Sequence, residues 1–301
     1  MKLFELAYAC RLYGQLADYD ASLKRFRDLV APSLEPSKAK HRAALFVWLN
    51  SWGCRQFARD HHATTASDSL VRWTNGWLSQ LPPPEVPLTD LTSVQIRAYA
   101  LAYEALRDET ASFKARGGRS HAVTYGPTGA AKTLFALRPN VVPPWDEPIR
   151  DALGLSADLR SFGDYLSNVA EQLRALATEA NVPVSKLPAL VGRPYASPPK
   201  LIDEYNWVVI TKGCAPPTTD EVVRWAEWAM TDENAARGED QAAGEECDPG
   251  RRTDHLPGLR DRCLGVRGGW ADRPRGLPRQ QRPLGLHLPG RRHRPLDSGW
   301  K

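Results

Sequence analysis

The sequence predicts an all-α fold over residues 1–235, followed by a C-terminal tail, 236–301, without regular structure. Three observations predict it. Apolar residues recur at three- and four-residue spacing in most segments before Ala235, the signature of helices with one buried face. Only two short strand candidates exist, His121–Tyr125 and Trp207–Thr211, so the strand–helix alternation of a doubly wound sheet is missing. After Met230 the chain contains no Ile, Phe, Tyr or Met at all.

The elements follow in order. Lys2 to Val30 carries Leu3, Leu6, Ala7, Cys10, Tyr13 and Leu16 at helical spacing. Ser37 to Phe57 places Ala44, Leu45, Trp48, Leu49 and Trp52 on one side. Ser67 to Leu81 carries Leu70, Trp73, Trp77 and Leu78 and stops at Pro82-Pro83-Pro84. The Pro82–Pro87 segment is where a division into two lobes would fall. Thr89 or Asp90 can cap a long helix running to about Arg116, with Gly117-Gly118 as its stop. Tyr125 to Leu134 reads as a glycine-containing turn opening a short helix, and Asp146 as the start of the next. Leu159 to Ala180 is a further helix, halted before Pro183, and Thr218-Thr219-Asp220-Glu221 is a capping box opening the last one. The Trp48, Trp52, Trp73 and Trp77 stripe reads as core.

Composition narrows the function classes. The net charge is +5, but residues 238–301 carry 13 Lys plus Arg against 9 Asp plus Glu, and the remainder 27 against 26. The body is close to neutral, so any basic surface must come from local clustering. No apolar run is long enough to span a membrane, no signal peptide is evident, and a cytoplasmic location is the expectation. The five cysteines, 10, 54, 214, 247 and 263, form no Cys-x-x-Cys pair, which argues against a disulfide framework, a zinc ribbon or an iron–sulfur site. Neither metal nor cofactor is expected, and adjacent His61 and His62 point apart on a helix.

Gly and Pro supply 11 and 7 of the residues 238–301, and Arg outnumbers Lys there by 12 to 1. Such a segment cannot bury enough apolar surface to offset its ordering entropy. It reads either as a disordered arm or as the product of a GC-rich gene translated out of frame. Removal at Arg237 is expected to leave the melting temperature unchanged.

One stretch concentrates candidate chemistry: Tyr125-Gly126-Pro127-Thr128-Gly129-Ala130-Ala131-Lys132-Thr133-Leu134, then Arg138-Pro139, then Trp145-Asp146-Glu147-Pro148-Ile149. Two functional readings fit parts of it. As a phosphate loop, Gly126 to Thr133 departs from G-x-x-x-x-G-K-[ST] only at Ala131, with Lys132 on the terminal phosphates and Thr133 on magnesium. The missing last Gly, the absence of an apolar run ending in Asp and the shortage of strands count against it.

Aligned differently, the same residues resemble the helix-hairpin-helix DNA glycosylases. The parts are Gly126 and Gly129 in the hairpin, Ala131 with Leu134 and Leu137 after it, the Val141-Val142-Pro143-Pro144 crossing, and Asp146 opening the next helix. The stretch is also similar to a set of uncharacterised bacterial proteins with an Ala-Ala-Lys-x-Leu, Pro, Trp-Asp and Ile pattern. Asp203-Glu204-Tyr205-Asn206 matches a further segment of theirs. The resemblance covers about residues 125–155. It implies a glycosylase-like helical body whose partner is DNA. Gly126, Thr128, Gly129 and Lys132 would hold a backbone phosphate at a helix N-terminus, which binds anions through free N–H groups. Asp146 would be the catalytic carboxylate facing an extruded nucleotide, and Trp145, Trp73 and Trp77 are available to wedge or stack.

The departures from the family are specific. The hairpin is Gly-x-x-Gly, not Gly-x-Gly. Thr128 or Gly129 stands where lyase-active members place a nucleophilic Lys, and Lys132 comes about three residues late, which argues against Schiff-base chemistry. Pro148 stands where active members often have His. An enzyme of this kind would be a hydrolase that excises a base without lyase activity. The alternative is a non-enzymatic helical scaffold in which Asp146 only caps its helix; a degenerate nucleotide-binding loop ranks third. No protein partner can be named.

Overall fold

α1 (Leu3–Leu16) and α2 (Tyr19–Leu29) divide the first predicted helix in two, because Ala17 takes an extended conformation between them. The computed structural model describes residues 1–57 and 62–229, and over these the fold is mainly α, with eleven α-helices and one small antiparallel hairpin. His61 and the tail from residue 230 lie outside the described residues, and so do the expectations placed on them.

α3 (Ala39–Ser51) packs on α2, and α4 (Ser67–Trp77) runs on through a 3-10 turn to Gln80 before the proline run. α5 (Ser93–Asp108) starts at Thr92, two or three residues later than read from the sequence. The Thr92 hydroxyl accepts from the Gln95 N–H, and the Gln95 side chain accepts from the Thr92 N–H at 2.9 Å. This reciprocal cap satisfies two N–H groups that Thr89 or Asp90 could not reach.

The chain after α5 corrects a second expectation. The helix stops at Asp108 and the next residues form β1 (Thr110–Arg116) and β2 (Arg119–Thr124), an antiparallel ribbon. Gly117 and Gly118 have φ of +58° and +75°. They are a two-residue hairpin turn, in which both central positions need positive φ, and not a helix stop. The strand expected at His121–Tyr125 is β2, which starts two residues earlier and ends one residue earlier.

α6 (Gly126–Leu137) and α8 (Leu159–Ala180) both pack against α5 and form the centre of the body. α8 has the bounds read from the sequence; the Asp158 carboxylate accepts from Ser161 N–H at 2.7 Å, and Asn181 ends the helix with φ +52°. Between them lies the short α7 (Glu147–Ala152). α9 (Leu187–Leu190) and α10 (Pro198–Asn206) follow, and α10 lies along α1. Trp207–Thr211, expected as a strand, is a π-helical turn continuing α10. A short apolar run fits either state by pattern alone, and here the preceding helix decides it. α11 (Thr219–Ala229) opens on the predicted box, with the Thr218 N–H donating to Glu221 at 2.8 Å.

One apolar cluster joins α1 to α10 and includes Leu6, Trp48, Trp52, Tyr103, Trp145 and Ile202. Trp48, Trp52 and Trp73 are buried, as the stripe suggested, and Trp77 packs at the cluster's margin. Trp145 is fully buried among Tyr103, Phe162 and Tyr165, so neither it nor Trp73 is placed to wedge between bases. Among the described residues no helix is long and apolar enough to cross a membrane.

Candidate functional site

The N-terminus of α6 is closed, not open. Gly126 takes φ +65°, a conformation that favours glycine, and Pro127 follows it at the helix start. Gly129 is buried so tightly that a Cβ there would lie 2.6 Å from the Gln56 amide and 3.2 Å from the Phe57 ring. The Thr128 hydroxyl accepts from the buried Arg150 guanidinium of α7 at 3.3 Å, and the same guanidinium donates to the Trp145 carbonyl at 2.8 Å. Gly126 and Thr128 are half-buried. The Thr133 hydroxyl donates to the Gly129 carbonyl, and the one sheet among the described residues is a two-stranded hairpin. Thr133 is fully buried, so its hydroxyl is not presented to a magnesium ion, and the parallel sheet of such nucleotide sites is absent among the described residues.

Lys132 points inward. It is 4 % exposed, and its ammonium lies 2.9 Å from the Asp146 carboxylate and donates to the Trp52 carbonyl at 2.9 Å. Both functional readings of the sequence put this side chain on a phosphate at the start of the helix. One helical turn after Gly129, however, the α6 face turns towards the body, and four carbons carry the ammonium to α7. Burial works against the charge, but Asp146 first and the Cys54 thiol next outweigh it and hold the ammonium above its ordinary pKa.

Asp146 occupies the N-cap position of α7 with extended backbone angles, as expected of a cap. Its side chain does not cap, however; it turns to Lys132. The carboxylate is 28 % exposed, so it faces both the ion pair and open space. That space is a small cleft of about 40 Å³ lined by Tyr13, Tyr19, Trp52, Lys132, Pro144, Asp146, Asp203 and Trp207. Tyr13 meets Trp207 edge-on at 5.2 Å, and Tyr19 meets Trp207 at 6.0 Å and Trp52 at 5.5 Å. Four aromatic side chains from three stretches of the sequence thus wall one carboxylate.

Behind the cleft runs a chain of buried charge that sequence reading did not find. Lys200 of α10 lies 2.7 Å from Asp203 and 3.7 Å from Glu204, with its ammonium 4.1 Å above the Tyr13 ring. Arg193 reaches Glu204 with two donors at 2.9 and 3.0 Å and Asp20 at 2.5 Å. Burial, opposed by Lys200 and reinforced by Asp146, raises the Asp203 carboxyl to about 6. The available signal was the Lys-x-x-Asp-Glu spacing inside the otherwise apolar α10, since charges three and four residues apart share a face that here is buried. The Cys10 thiol beside this chain is pushed up by burial and by Glu204.

The structure therefore brings together Lys132 and Asp146, adds Asp203, Tyr13, Tyr19, Trp52 and Trp207, and leaves Gly126 and Thr128 outside the lining of the cleft and Gly129 in the packing. Chemically the cleft offers one partly exposed carboxylate, a second carboxyl that can hold a proton near pH 6, one fixed ammonium group and aromatic walls, with the Lys200 ammonium buried behind Asp203. No protein-family model matches the chain, and neither a curated protein nor a solved structure does.

Proposed function

We propose that the chain binds DNA and excises a base hydrolytically, on the plan of the helix-hairpin-helix glycosylases. The observation that carries this reading is Asp146. It stands at a helix start, declines to cap it, and faces an aromatic-walled cleft beside Lys132. In the reaction the N-glycosidic bond breaks, its electron pair leaves with the base, and positive charge develops on the sugar carbon. A carboxylate at that point stabilises the charge, and water then adds to the carbon and gives up its proton to Asp146. Lys132 is held as the ammonium, which has no lone pair to attack the sugar, so the chemistry is hydrolysis without lyase cleavage.

The test is a panel of duplexes, each with one damaged or mismatched base, scored for abasic sites by alkaline cleavage. The full chain is expected to release a base from at least one duplex. Asp146→Asn should abolish release, by roughly a hundredfold or more, while keeping its fold. Absence of both base release and salt-dependent duplex binding would remove the reading.

A second reading is favoured by the closed start of α6, where Gly129 is packed and Thr128 is already engaged by Arg150. There the motif joins α6 to α7 in a helical scaffold. It makes Asp146→Asn a change of stability alone, with no activity lost; because the side chain pairs with buried Lys132 and does not cap, the loss is that of an ion-pair partner, up to roughly 3–5 kcal/mol.

A further inference from the structure

We propose that the β1–β2 ribbon is a duplex-DNA contact surface whose basic face lies along the phosphate backbone. This rests on the nucleic-acid reading above for the identity of the polyanion, and it does not depend on Asp146.

The argument comes from register. Lys114 pairs with His121, while Phe113 pairs with Ala122 and Ala115 with Ser120. Directly opposed residues of an antiparallel pair share a face, and the face alternates along each strand. Lys114, Arg119 and His121 therefore fall on one face, and residues 113, 115, 120 and 122 on the other. No Asp or Glu occurs from Ala111 to Thr124, in a body that is otherwise close to neutral.

The ribbon also projects. Ala111 and Ser112 are buried at its base, against the π-helical turn His62–Ala66 and α4, but Phe113, Lys114, Arg119, Ser120, His121 and Ala122 are all exposed. Cross-strand neighbours on one face interact, and like charges there repel. Lys114 and Arg119 stand as diagonal neighbours in this way, with no carboxylate between Ala111 and Thr124 to relieve them. An anionic partner removes that repulsion. A two-stranded ribbon has the width that a DNA groove admits, and same-face positions about 6.8 Å apart along each strand can follow a phosphate chain. A lipid surface would call for several apolar side chains beside the basic ones, whereas Phe113 is the one large apolar side chain the exposed part carries, and it lies on the other face.

The experiment uses the full chain and a fluorescent duplex, with anisotropy followed over a salt series. Lys114→Glu with Arg119→Glu is expected to weaken binding at low salt by at least about tenfold. The slope of log affinity against log salt should fall by roughly 1.8, or about 0.9 for each phosphate no longer neutralised. Lys114→Gln with Arg119→Gln, a gentler pair should the first misfold, is expected to give the same change in slope. Phe113→Ala should leave affinity and slope unchanged. Vesicles of phosphatidylserine and phosphatidylcholine are the second arm, and no hairpin-dependent binding is expected there. An unaltered slope in both double variants, no duplex binding by the parent chain, an equal effect of Phe113→Ala, or an equal loss on vesicles would each overturn the proposal. Base release by the parent chain, scored on the same duplexes, separates it from base excision: salt-dependent, hairpin-dependent binding without base release removes the excision reading and leaves the ribbon proposal standing.

Discussion

Burying an ammonium or a carboxylate costs several kcal/mol per ion unless partners offset it, and the fold does this twice, with Lys132 on Asp146 at the cleft and Lys200 on Asp203 behind it. Removing one partner exposes the cost. Lys200→Met leaves Asp203 buried without its cation, and a loss of roughly 3–5 kcal/mol at pH 7 is expected. The loss should shrink at pH 5, where Asp203 can take up a proton, and urea unfolding at the two pH values checks both. Asp203 also makes a pH prediction of its own. Its carboxyl lies at about 6 in the folded protein against 3.8 for the free group, so between these values the folded state binds the extra proton. Its contribution to stability is complete below about pH 4 and declines as pH rises to about 6. Asp203→Asn should remove that decline, seen as the difference between two unfolding curves across pH 4–6.5. That Asp146 starts a helix was legible in the sequence because an N-cap position followed by Pro has a local signature, whereas the turn of its side chain towards Lys132 was not. For Lys200 and Asp203 the spacing in α10 shows a shared face but not that the face is buried, and Tyr13 reads only as core; the packing of α10 on α1 that decides both is not a local pattern.

At the scale of elements, the start of α6 separates two costs that glycine can hide. Gly126 is needed for its positive φ and has open space around its missing Cβ, whereas Gly129 is helical and has none. Gly126→Ala is expected to cost about 1–2 kcal/mol through backbone strain alone. Gly129→Val is expected to cost more, because the side chain must displace Gln56 and the Phe57 ring, and overpacking of this kind typically costs about 1–3 kcal/mol beyond conformational preference. Denaturation midpoints at unchanged m-value would give the order. Elements with long periodicity and explicit ends were legible: α8 kept its predicted bounds, and α11 its capping box. Gly117-Gly118 misled because two glycines serve equally as a helix end or a hairpin turn, and the alternation of Phe113 and Ala115 with Lys114 and Arg116 is only two periods long. Trp207–Thr211 misled because four consecutive apolar residues and a threonine carry no period.

At the scale of the whole molecule, one cluster reaches from α1 to α10, so its opening should be a single cooperative event. Cys10 and Cys54 report on it, as both are free, buried thiols, and burial raises Cys54 to about 11. Neither should react with a disulfide reagent at pH 8 in the native protein, and both should react at the rate of global unfolding; fast labelling of either would show a local opening instead. The mainly α class was legible from periodicity, whereas the junction of α1, α3, α6 and α10 around one carboxylate was not, since it joins residues more than a hundred positions apart. The size of the cleft they enclose sets the kinetics of whatever binds there. About 40 Å³ holds on the order of three water molecules and no heteroaromatic ring. Access for a ring therefore requires a rarer conformer in which Tyr19, the most exposed of the aromatic walls, has swung aside. Association should then saturate with ligand concentration at the rate of that swing. The apparent affinity is lowered by the fraction of molecules already open, and a smaller residue at position 19 would raise both.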